Sequence, residues 1–266
     1  MPELPEVQTV VDTLAPLAVG RQILRALHVR NDMLKPGGID LFSLLKDRSV
    51  AAIQRRAKRI VFTLDDRARF YIHLGMTGQL TLDSHDTPIK THTHLILQLE
   101  GGRQIRFVDP RRFGAIVWMG LDKHTHVGPE PLALRPDRLR RLLGKTSRAI
   151  KTALLDQTLI AGIGNIYADE ALFVAGVRPT ARACELKPDD VLRLNRAIKL
   201  VLRRAIRAGG SSIRDYVDAN GARGSFQERH RVYGREGKPC VNCKTPIHRI
   251  VLGGRSTHFC PTCQAG

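Results

Sequence analysis

The sequence has no apolar run that approaches the ~20 residues needed to cross a bilayer as a helix. It also lacks a basic region followed by an apolar one, the pattern of a secretory signal, because Pro2, Glu3, Pro5 and Glu6 open the chain. Neither an internal repeat nor a low-complexity tract is present. Since 42% of the 266 residues are hydrophobic, a substantial core can form, which excludes overall disorder. We therefore expect a folded, intracellular protein with no membrane partner.

Acidic residues are few relative to basic ones. The chain holds 25 Asp and Glu against 43 Lys and Arg, a net charge of +18. Most of the excess lies in the second half: residues 1–133 carry 18 basic and 14 acidic side chains, and residues 134–266 carry 25 and 11. Such a surface favours nucleic acid as the partner. Solubility alone and attraction to anionic lipid are the alternatives, although no basic amphipathic helix of the membrane-binding kind stands out.

The first half is predicted to fold as a helix followed by a β-sandwich or flattened barrel. Apolar side chains recur at helical spacing after Pro5, and Pro16 and Gly20 are predicted to end that helix. From about residue 22 to residue 120, apolar residues alternate with polar ones, as in short strands. Gly101-Gly102 separates two of these runs and predicts a hairpin.

The second half is predicted to be mainly helical. The Gly-Pro-Glu-Pro stretch at 128–131 is the best candidate for a linker. An apolar stripe from Val191 to Ala205 predicts a long helix. Residues 210–227 are polar, contain glycine and show no period, so they predict a long loop.

Four of the five cysteines form the pattern Cys240-x2-Cys243-x16-Cys260-x2-Cys263. Two such pairs at this separation suit one tetrahedral zinc ion held by four thiolates. Because protein fills all four positions, the metal would be structural. A pair of disulfides is the alternative, and the reducing interior of a cell disfavours it.

Basic residues lie between the two cysteine pairs, among them Arg255 and His258. A zinc-stapled hairpin would present them rigidly to phosphates. Zinc ribbons also serve as purely structural or protein-binding modules, so that alternative stays open. The fifth cysteine, Cys184, is expected to be a small, partly buried side chain.

Two glycines precede a predicted helix within residues 156–173. Gly162 and Gly164 allow a tight turn, and Asn165 is predicted to cap the helix that follows. Free backbone N–H groups at such a helix start suit a phosphate. By itself the pattern is weak, because ordinary turns between helices share it.

The start of the chain is unusual. Removal of Met1 would leave Pro2 with a free secondary amine, and an α-amine has a reference pKa near 7.7–8.0 against ~10.4 for lysine. Attack of that amine on a sugar aldehyde carbon would give an iminium cation, an electron sink for β-elimination. Glu3 and Glu6 would supply acid and base functions beside it. The alternative is an ordinary helix flank with favourable dipole electrostatics.

Five motifs, taken in order, closely resemble the bacterial formamidopyrimidine-DNA glycosylase family of bifunctional base-excision repair enzymes. They are Pro2–Val7, His73–Met76, Asp109–Gly114, the turn Gly162–Glu170 and the four-cysteine ribbon. Each motif is moderately specific, and the ordered set, which covers essentially the whole chain, is very specific.

The resemblance implies a two-domain α+β fold. An N-terminal helix and β-sandwich would precede a C-terminal helix–two-turn–helix domain with a four-cysteine zinc ribbon. The expected boundaries are 1–128 for the catalytic domain, 129–135 for the linker, 136–228 for the helix–two-turn–helix domain and 229–266 for the ribbon.

The resemblance also implies catalytic roles. Pro2 would attack C1′ of the damaged nucleotide, expel the base and form a Schiff base with the opened sugar. Glu3 would act as general acid and base on the sugar, with Glu6 in support. Lys58 would contact the lesion phosphate and donate a proton during β-elimination. Arg255 would grip the phosphates that flank the lesion and assist δ-elimination.

Further residues match the family's DNA contacts. The expected backbone contacts are His92, Arg112, Lys151 and Asn165. The expected inserted side chains are Met76, Arg111 and Phe113, of which Arg111 would bond to the orphaned cytosine while Phe113 wedges the stack. From composition alone these three would be a core methionine, a surface arginine and a core aromatic. Arg214 and Tyr216 belong to the loop 214–227, expected to close over the flipped base.

The resemblance implies a monomer with one structural zinc ion, acting in the bacterial cytoplasm on duplex DNA that contains an oxidised purine or an abasic site.

Gln8, Arg59 and Thr146 depart from the family's usual residues, and Thr146 puts one phosphate contact in doubt. One alternative is endonuclease VIII, which prefers oxidised pyrimidines; Leu4 and the complete inserted set argue against it. The other is a zinc-ribbon nucleic-acid binder without enzymatic activity.

Overall fold

The computed structural model describes residues 1–27, 31–122 and 127–265. The chain divides into two compact units. The first comprises Met1–Thr125 with Ala208–Ser225, and the second comprises His126–Arg207 with Phe226–Gly266. Among the described residues no helix has both the length and the apolar character needed to cross a membrane.

The first unit opens with helix α1, Leu4–Ala18. Pro5 stands in the first turn, where a missing N–H removes no intrahelical hydrogen bond. The prediction that Pro16 ends the helix is wrong, because Pro16 lies inside it. A proline this close to the end withdraws one donor only, and Val19 N still donates to Ala15 O at 3.0 Å.

Two sheets follow within residues 1–27 and 31–122. The strands are β1 Ile23–Leu27, β2 Leu34–Lys35, β3 Val50–Arg56, β4 Arg59–Leu64, β5 Arg69–His73, β6 Gln79–Ser84, β7 Thr93–Leu99, β8 Arg103–Val108 and β9 Ala115–Gly120. One sheet has the order β1-β7-β8-β6, and the other has the order β2-β9-β5-β4-β3. A short helix, α2 Leu41–Leu45, and a 3₁₀ turn, Asn31–Met33, lie between the early strands.

The predicted β-sandwich and its hairpin are confirmed. Leu99 of β7 pairs with Arg103 of β8 across Gly101-Gly102, and both glycines have positive φ. The core of this unit combines the buried face of α1 with apolar side chains from both sheets. Phe62 and Phe70 stack at its centre with ring centroids 4.6 Å apart. Each such buried side chain contributes about 1.5–3 kcal/mol to stability, so this core holds the start of α1 in place.

The described part of the second unit is helical with a terminal hairpin. Its helices are α3 Pro136–Leu143, α4 Ile150–Leu155, α5 Asn165–Ala175 and α6 Pro188–Arg207, with 3₁₀ turns at Ala183–Glu185 and Phe226–Arg229. Strands β10 His248–Leu252 and β11 Arg255–Phe259 form the hairpin. The long helix predicted from the apolar stripe is confirmed as α6, with that stripe buried. Cys184 is exposed, so the prediction of a partly buried cysteine is wrong; its neighbour Ala183 is buried instead.

Two segments acquire their places through non-local contacts. In the stretch 128–131, Gly128 N donates to Gln157 O at 2.8 Å, and Pro129 O accepts from Ala161 N at 3.0 Å. Residues 208–225 belong to the first unit, where Leu82 N donates to Ala219 O at 2.8 Å. The expected helix–two-turn–helix domain had included that segment. The boundaries at 128, 135 and 228 stay predictions.

Candidate active site and nucleic-acid interface

The start of α1 buries the residues expected to carry the chemistry. Pro2, Glu3 and Glu6 are buried, whereas Met1 is exposed. Burial lowers the pKa of the Met1 amine below its usual value, and the carboxylates of Glu3 and Glu6 oppose that shift. An amine at this position is therefore neutral, and hence nucleophilic, at a lower pH than the same amine in water.

Glu6 ties the amino terminus to the segment 208–225. Its Oε2 accepts a hydrogen bond from Glu3 N at 2.7 Å, and its Oε1 accepts one from Ser211 N at 2.7 Å. Gly210 permits this approach, because its φ is 78° and a Cβ there would lie 2.9 Å from Glu6 Oε1. Both carboxylate oxygens are thus engaged, which fixes Glu6 beside Glu3.

Lys58 lies in the tight turn between β3 and β4. Its predecessor Ala57 has a φ of 56°, and Arg55 Nη1 donates to Ala57 O at 3.0 Å. Lys58 is only 7% exposed. Its charge contributes to a lowered pKa at the Met1 amine and at His73, whose pKa falls to about 4 mainly through burial. The structure therefore brings Lys58 close to the terminal amine.

Gln8, one of the departures from the family pattern, links Asp12 to Arg55 through hydrogen bonds. Its Oε1 accepts from Arg55 Nε at 2.8 Å, and its Nε2 donates to Asp12 Oδ1 at 2.8 Å. An amide can perform both functions at once because it is a donor and an acceptor. The arginine that supports the Lys58 turn is thereby held in place.

The side chains expected to enter the duplex project from two turns of the first unit. Met76 is 40% exposed and Phe113 is 55% exposed. The guanidinium carbon of Arg111 lies 4.6 Å from the centre of the Phe113 ring. The reading of Met76 and Phe113 as core residues is therefore wrong, and their insertion into a duplex stays a prediction with which this exposure is compatible.

Two expected backbone contacts of this unit are exposed and rest on positive-φ backbone. His92 has a φ of 65° and Arg112 has a φ of 56°. Arg112 Nη1 forms a solvent-exposed ion pair with Asp32 Oδ2 at 3.1 Å. Such a pair contributes little to stability and leaves the guanidinium available to a phosphate.

The loop residues Arg214 and Tyr216 lie in different environments. Arg214 is exposed, whereas Tyr216 is buried in the core of the first unit and its hydroxyl donates to Glu6 O at 3.2 Å. Burial raises the pKa of Tyr216 well above its usual value. The structure thus places Tyr216 as the anchor of the loop and leaves Arg214 exposed to a ligand.

In the second unit, the glycine turn leads into α5. Gly164 is the N-cap, and Asn165 is the first helical residue, so the prediction of Asn165 as the cap is wrong. Glycine at this cap leaves the Asn165 side chain available for other contacts. Its Nδ2 donates to Ser256 Oγ at 3.3 Å, while its Oδ1 has no hydrogen-bond partner among the described residues.

Sequence reasoning missed Gln157, which organises the same turn. Its Oε1 accepts from Gly162 N at 2.9 Å, and its Nε2 donates to Leu155 O and Ile163 O. Asp156 beside it has a pKa lowered to about 2, chiefly by the hydroxyl of Thr158. The only local sequence pattern is a polar residue five positions before a glycine. That pattern is too common to predict that Gln157 stabilises the turn.

Lys151 is completely buried, so it has no surface on which a phosphate could bind directly in this conformation. Its Nζ lies 2.6 Å from Asp169 Oδ1 and donates to Ser256 O at 2.6 Å. Asp169 Oδ2 in turn accepts from His258 N at 2.9 Å. Lys151 thus holds the β10–β11 hairpin onto α5 in this structure, and its expected contact with a DNA phosphate stays a prediction.

The hairpin separates its basic residues into two groups. Arg255 is exposed at the turn, whereas His258 is buried and its Nδ1 lies 3.1 Å from Asp169 Oδ2. His258 is thus unavailable to phosphates, contrary to the sequence expectation. Its position on the inner face of β11 requires a knowledge of strand register that the cysteine spacing does not supply.

The four cysteines meet at the base of the hairpin. Their Sγ atoms all lie within 4.8 Å of one another. Zinc–sulfur bonds of about 2.3 Å in a tetrahedron place the sulfurs about 3.8 Å apart, so the donor set fits. Asn242 N and Cys263 N donate to Cys240 Sγ and Cys260 Sγ at 3.4 Å, as expected for thiolate ligands. The predicted site for one structural zinc ion is confirmed.

Comparison with known proteins accounts for the whole chain. Residues 1–116 match the formamidopyrimidine-DNA glycosylase N-terminal domain, residues 127–217 match the H2TH domain of the same family, and residues 237–266 match the zinc finger found in FPG and IleRS. The chain is 46% identical to formamidopyrimidine-DNA glycosylase of Solibacter usitatus and 44% identical to that of Gluconobacter oxydans. Each alignment covers 99% of this chain and at least 99% of the relative.

Solved structures agree. A Lactococcus lactis FPG variant in complex with Fapy-dG-containing DNA superposes with a TM-score of 0.93 at 36% identity, covering all of both chains. Thermus thermophilus MutM (FPG) superposes with a TM-score of 0.89 at 40% identity, covering 99% of both chains. The complex of the L. lactis protein with abasic-site DNA gives 0.92 at 35%, covering 99% of this chain and all of the other.

The fold and the site together define a DNA glycosylase of the helix–two-turn–helix class, with a zinc ribbon. The chain belongs to the formamidopyrimidine-DNA glycosylase family, as the sequence resemblance predicted.

Proposed function

We propose that this protein removes oxidised purines, chiefly 8-oxoguanine and formamidopyrimidines, from duplex DNA and then nicks the abasic strand by β,δ-elimination. One observation carries the proposal: Pro2 is buried next to Glu3 and Glu6, and both burial and the charge of Lys58 lower the pKa of the Met1 amine that precedes it. That environment favours a neutral nucleophile with acid and base groups within reach. Because its substrate is the chromosome, we place the enzyme in the bacterial cytoplasm, where it acts as a monomer on DNA.

Base removal begins after Met1 is lost. The Pro2 nitrogen bonds to C1′ as the glycosidic bond breaks, and the amine proton leaves with the base. Glu3 gives a proton to O4′ as the C1′–O4′ bond breaks, which leaves an iminium between Pro2 and the opened sugar. Glu6, held by Glu3 N and Ser211 N, keeps Glu3 at the reacting sugar.

Strand cleavage follows from the iminium. The Glu3 carboxylate takes a proton from C2′, the C3′–O bond breaks, and Lys58 gives a proton to the departing phosphate oxygen. In a second elimination the now neutral Lys58 takes a proton from C4′ and the C5′–O bond breaks, while Arg255 stabilises the departing phosphate. Water then hydrolyses the iminium and returns the free amine.

The remaining contacts grip and deform the duplex. We assign His92, Arg112 and Asn165 to backbone phosphates, and Arg214 to the loop over the flipped base. If the Asn165 amide is rotated, its NH₂ takes the position of the unpartnered oxygen and supplies a donor there, while the Ser256 hydroxyl donates to the amide oxygen. Tyr216 and Lys151 support these contacts from within their units.

Extrusion of the damaged nucleotide leaves a void in the stack. We assign Met76, Arg111 and Phe113 to that void, with Arg111 bonded to the orphaned cytosine and Phe113 as the wedge. In the ribbon, Cys240, Cys243, Cys260 and Cys263 hold the metal; when bound, zinc cross-links the two knuckles and rigidifies the hairpin that carries Arg255.

Borohydride trapping tests the proposal. Protein with Met1 removed, mixed with an 8-oxoguanine:cytosine duplex and borohydride, should give a covalent protein–DNA adduct through Pro2, and Pro2→Gly should form it much more slowly. Absence of an adduct from the unsubstituted protein contradicts the mechanism. Faster cleavage of a thymine-glycol duplex than of the 8-oxoguanine duplex would overturn the proposed purine specificity.

A further inference from the structure

Asp109 is a buried carboxylate to which the reaction scheme above gives no role. It follows β8 directly and has no solvent-exposed surface. Its Oδ1 accepts a hydrogen bond from Thr77 Oγ1 at 2.6 Å, and its Oδ2 accepts one from Gly114 N at 2.8 Å. Thr77 belongs to the turn that carries Met76, and Gly114 to the turn that carries Phe113. One carboxylate therefore bridges the two turns.

The two turns are also in direct backbone contact. Gly75 has a φ of 63°, and a Cβ built on it would lie 2.4 Å from the carbonyl carbon of Phe113 and 2.5 Å from Gly114 N. No larger residue fits at this approach. In addition, the backbone N of Arg111 donates to Thr77 Oγ1 at 3.4 Å. The threonine hydroxyl thus accepts a hydrogen bond from one turn and donates one to Asp109.

The backbone of Asp109 extends the same set of contacts. Its N–H donates to His92 O at 3.0 Å, and its carbonyl accepts from Arg112 N at 3.2 Å. His94 Nε2, also buried, donates to that carbonyl at 2.9 Å. Asp109 is consequently hydrogen-bonded to the turn that carries Met76, to the turn that carries Arg111, Arg112 and Phe113, and to His92.

We propose that Asp109, acting through Thr77, is a positioning residue that makes Met76, Arg111 and Phe113 enter the duplex as one preformed unit. The inference rests on the proposed function, since it assumes that these three side chains fill the void left by the extruded nucleotide. Hydrogen bonds to a buried carboxylate are about twice as strong as neutral ones, so the two turns keep a fixed spacing against the resistance of the base stack. Without the bridge, each side chain would have to be ordered separately during extrusion.

The bridge matters only where a stack must be opened. Base release from duplex DNA and the choice of the opposite base require all three inserted side chains. Nicking of an abasic site in single-stranded DNA requires the amine, Glu3 and Lys58 but no void-filling. Loss of the bridge should therefore slow base release from duplex DNA and leave single-strand nicking intact. Loss of folded protein would instead reduce both activities.

Thr77→Val is the decisive variant, because valine keeps the shape of threonine and removes the hydroxyl. We expect single-turnover release of 8-oxoguanine opposite cytosine to slow at least about tenfold, as loss of a hydrogen bond to a charged group predicts. The preference for cytosine over adenine opposite the lesion should fall, and nicking of the single-stranded abasic oligonucleotide should stay within about twofold of wild type. Thr77→Ser, which restores the hydroxyl, should recover base release.

Thr81→Val provides a matched control. Thr81 Oγ1 donates to Asp83 Oδ2 at 2.7 Å on β6, so the variant breaks the same kind of bond away from the two turns. It should leave base release and opposite-base preference unchanged.

Asp109→Asn keeps the shape of the side chain but replaces one acceptor by a donor. It should slow base release and reduce the opposite-base preference as Thr77→Val does.

The outcomes are distinct. Wild-type rates and preference in Thr77→Val would overturn the positioning role, and so would equal losses of duplex and single-strand activity. Equal effects of Thr81→Val and Thr77→Val would also contradict it. Failure of the proposed function itself would appear separately, as the absence of base release and of single-strand nicking in the unsubstituted protein.

Discussion

At the scale of single residues, Lys58 illustrates how burial gives a common side chain a particular function. Its charge helps to lower the pKa of the terminal amine, since a second cation nearby disfavours protonation of the first. The same charge lies close to His73, whose imidazole remains neutral down to a pH of about 4. We therefore expect Lys58 to affect the protonation of the proposed nucleophile, Pro2, as well as the proposed proton transfer.

This effect predicts a shift in the pH dependence of Schiff-base formation. In Lys58→Met the amine loses a neighbouring positive charge, so its pKa should rise towards the usual value and a smaller fraction should be neutral near pH 7. The pH midpoint of single-turnover borohydride trapping should move to higher pH. Lys58→Arg, which keeps the charge, should keep the wild-type midpoint.

A midpoint in Lys58→Met that is unchanged, or that moves to lower pH, would contradict this assignment. The midpoint reports protonation of the nucleophile, whereas the plateau rate above it reports the chemical steps. Both are read from the same set of trapping rates.

At the scale of elements, the ion pair of Lys151 with Asp169 joins α4, α5 and the β10–β11 hairpin. Both side chains are completely buried, and Ser256 and His258 of the hairpin bond to the pair. Removing one partner of a buried pair leaves an uncompensated charge, which is costly. The zinc ribbon is therefore held to the helices by polar contacts as well as by the small apolar core around Cys240 and Cys260.

Lys151→Met should destabilise the protein by about 3–5 kcal/mol, because Asp169 is then buried without its partner. The double variant Lys151→Met/Asp169→Leu should lose less, since both charges are gone. Urea unfolding of each variant measures the free energies. Equal losses in the single and double variants would show that the pair is not what joins these elements.

How much of these elements is predictable depends on whether the signal is local. Helix α6 and the hairpin at Gly101-Gly102 follow from apolar spacing and from glycine pairs, and the structure confirms both. The end of α1 at Pro16 and the capping role of Asn165 were predicted wrongly. In both cases one residue's preference is weaker than the packing of the element around it.

At the scale of the whole molecule, the excess of 18 positive charges is unevenly placed. The half that contains the proposed nucleophile and inserted side chains is nearly neutral, and the half with the helices and ribbon carries most of the charge. Fixed charge of this kind supplies affinity for any duplex by releasing counterions. Choice of the lesion then depends on a few side chains that net charge does not identify.

Binding to undamaged duplex should accordingly weaken steeply with salt. Log affinity should fall linearly with log salt concentration, and Arg255→Gln should reduce the slope by about 1, because one phosphate contact is lost. Val251→Thr, an exposed position in the same hairpin, is the matched control and should leave the slope unchanged. Fluorescence anisotropy at several salt concentrations measures the slopes; an unaltered slope in Arg255→Gln would contradict its phosphate contact.

The sequence by itself determined the sandwich followed by helices and the cysteine ligands, and its ordered motifs resembled a known family, which supplied the proposed nucleophile. These depend on periodicity, fixed spacing and motif order, which are local properties of a chain. Only the tertiary structure decided which charged residues are exposed and which are buried, because burial arises from strand register and contacts between distant segments. Lys151, His258 and Tyr216 became internal supports for that reason, and Asp109 became the bridge between two turns.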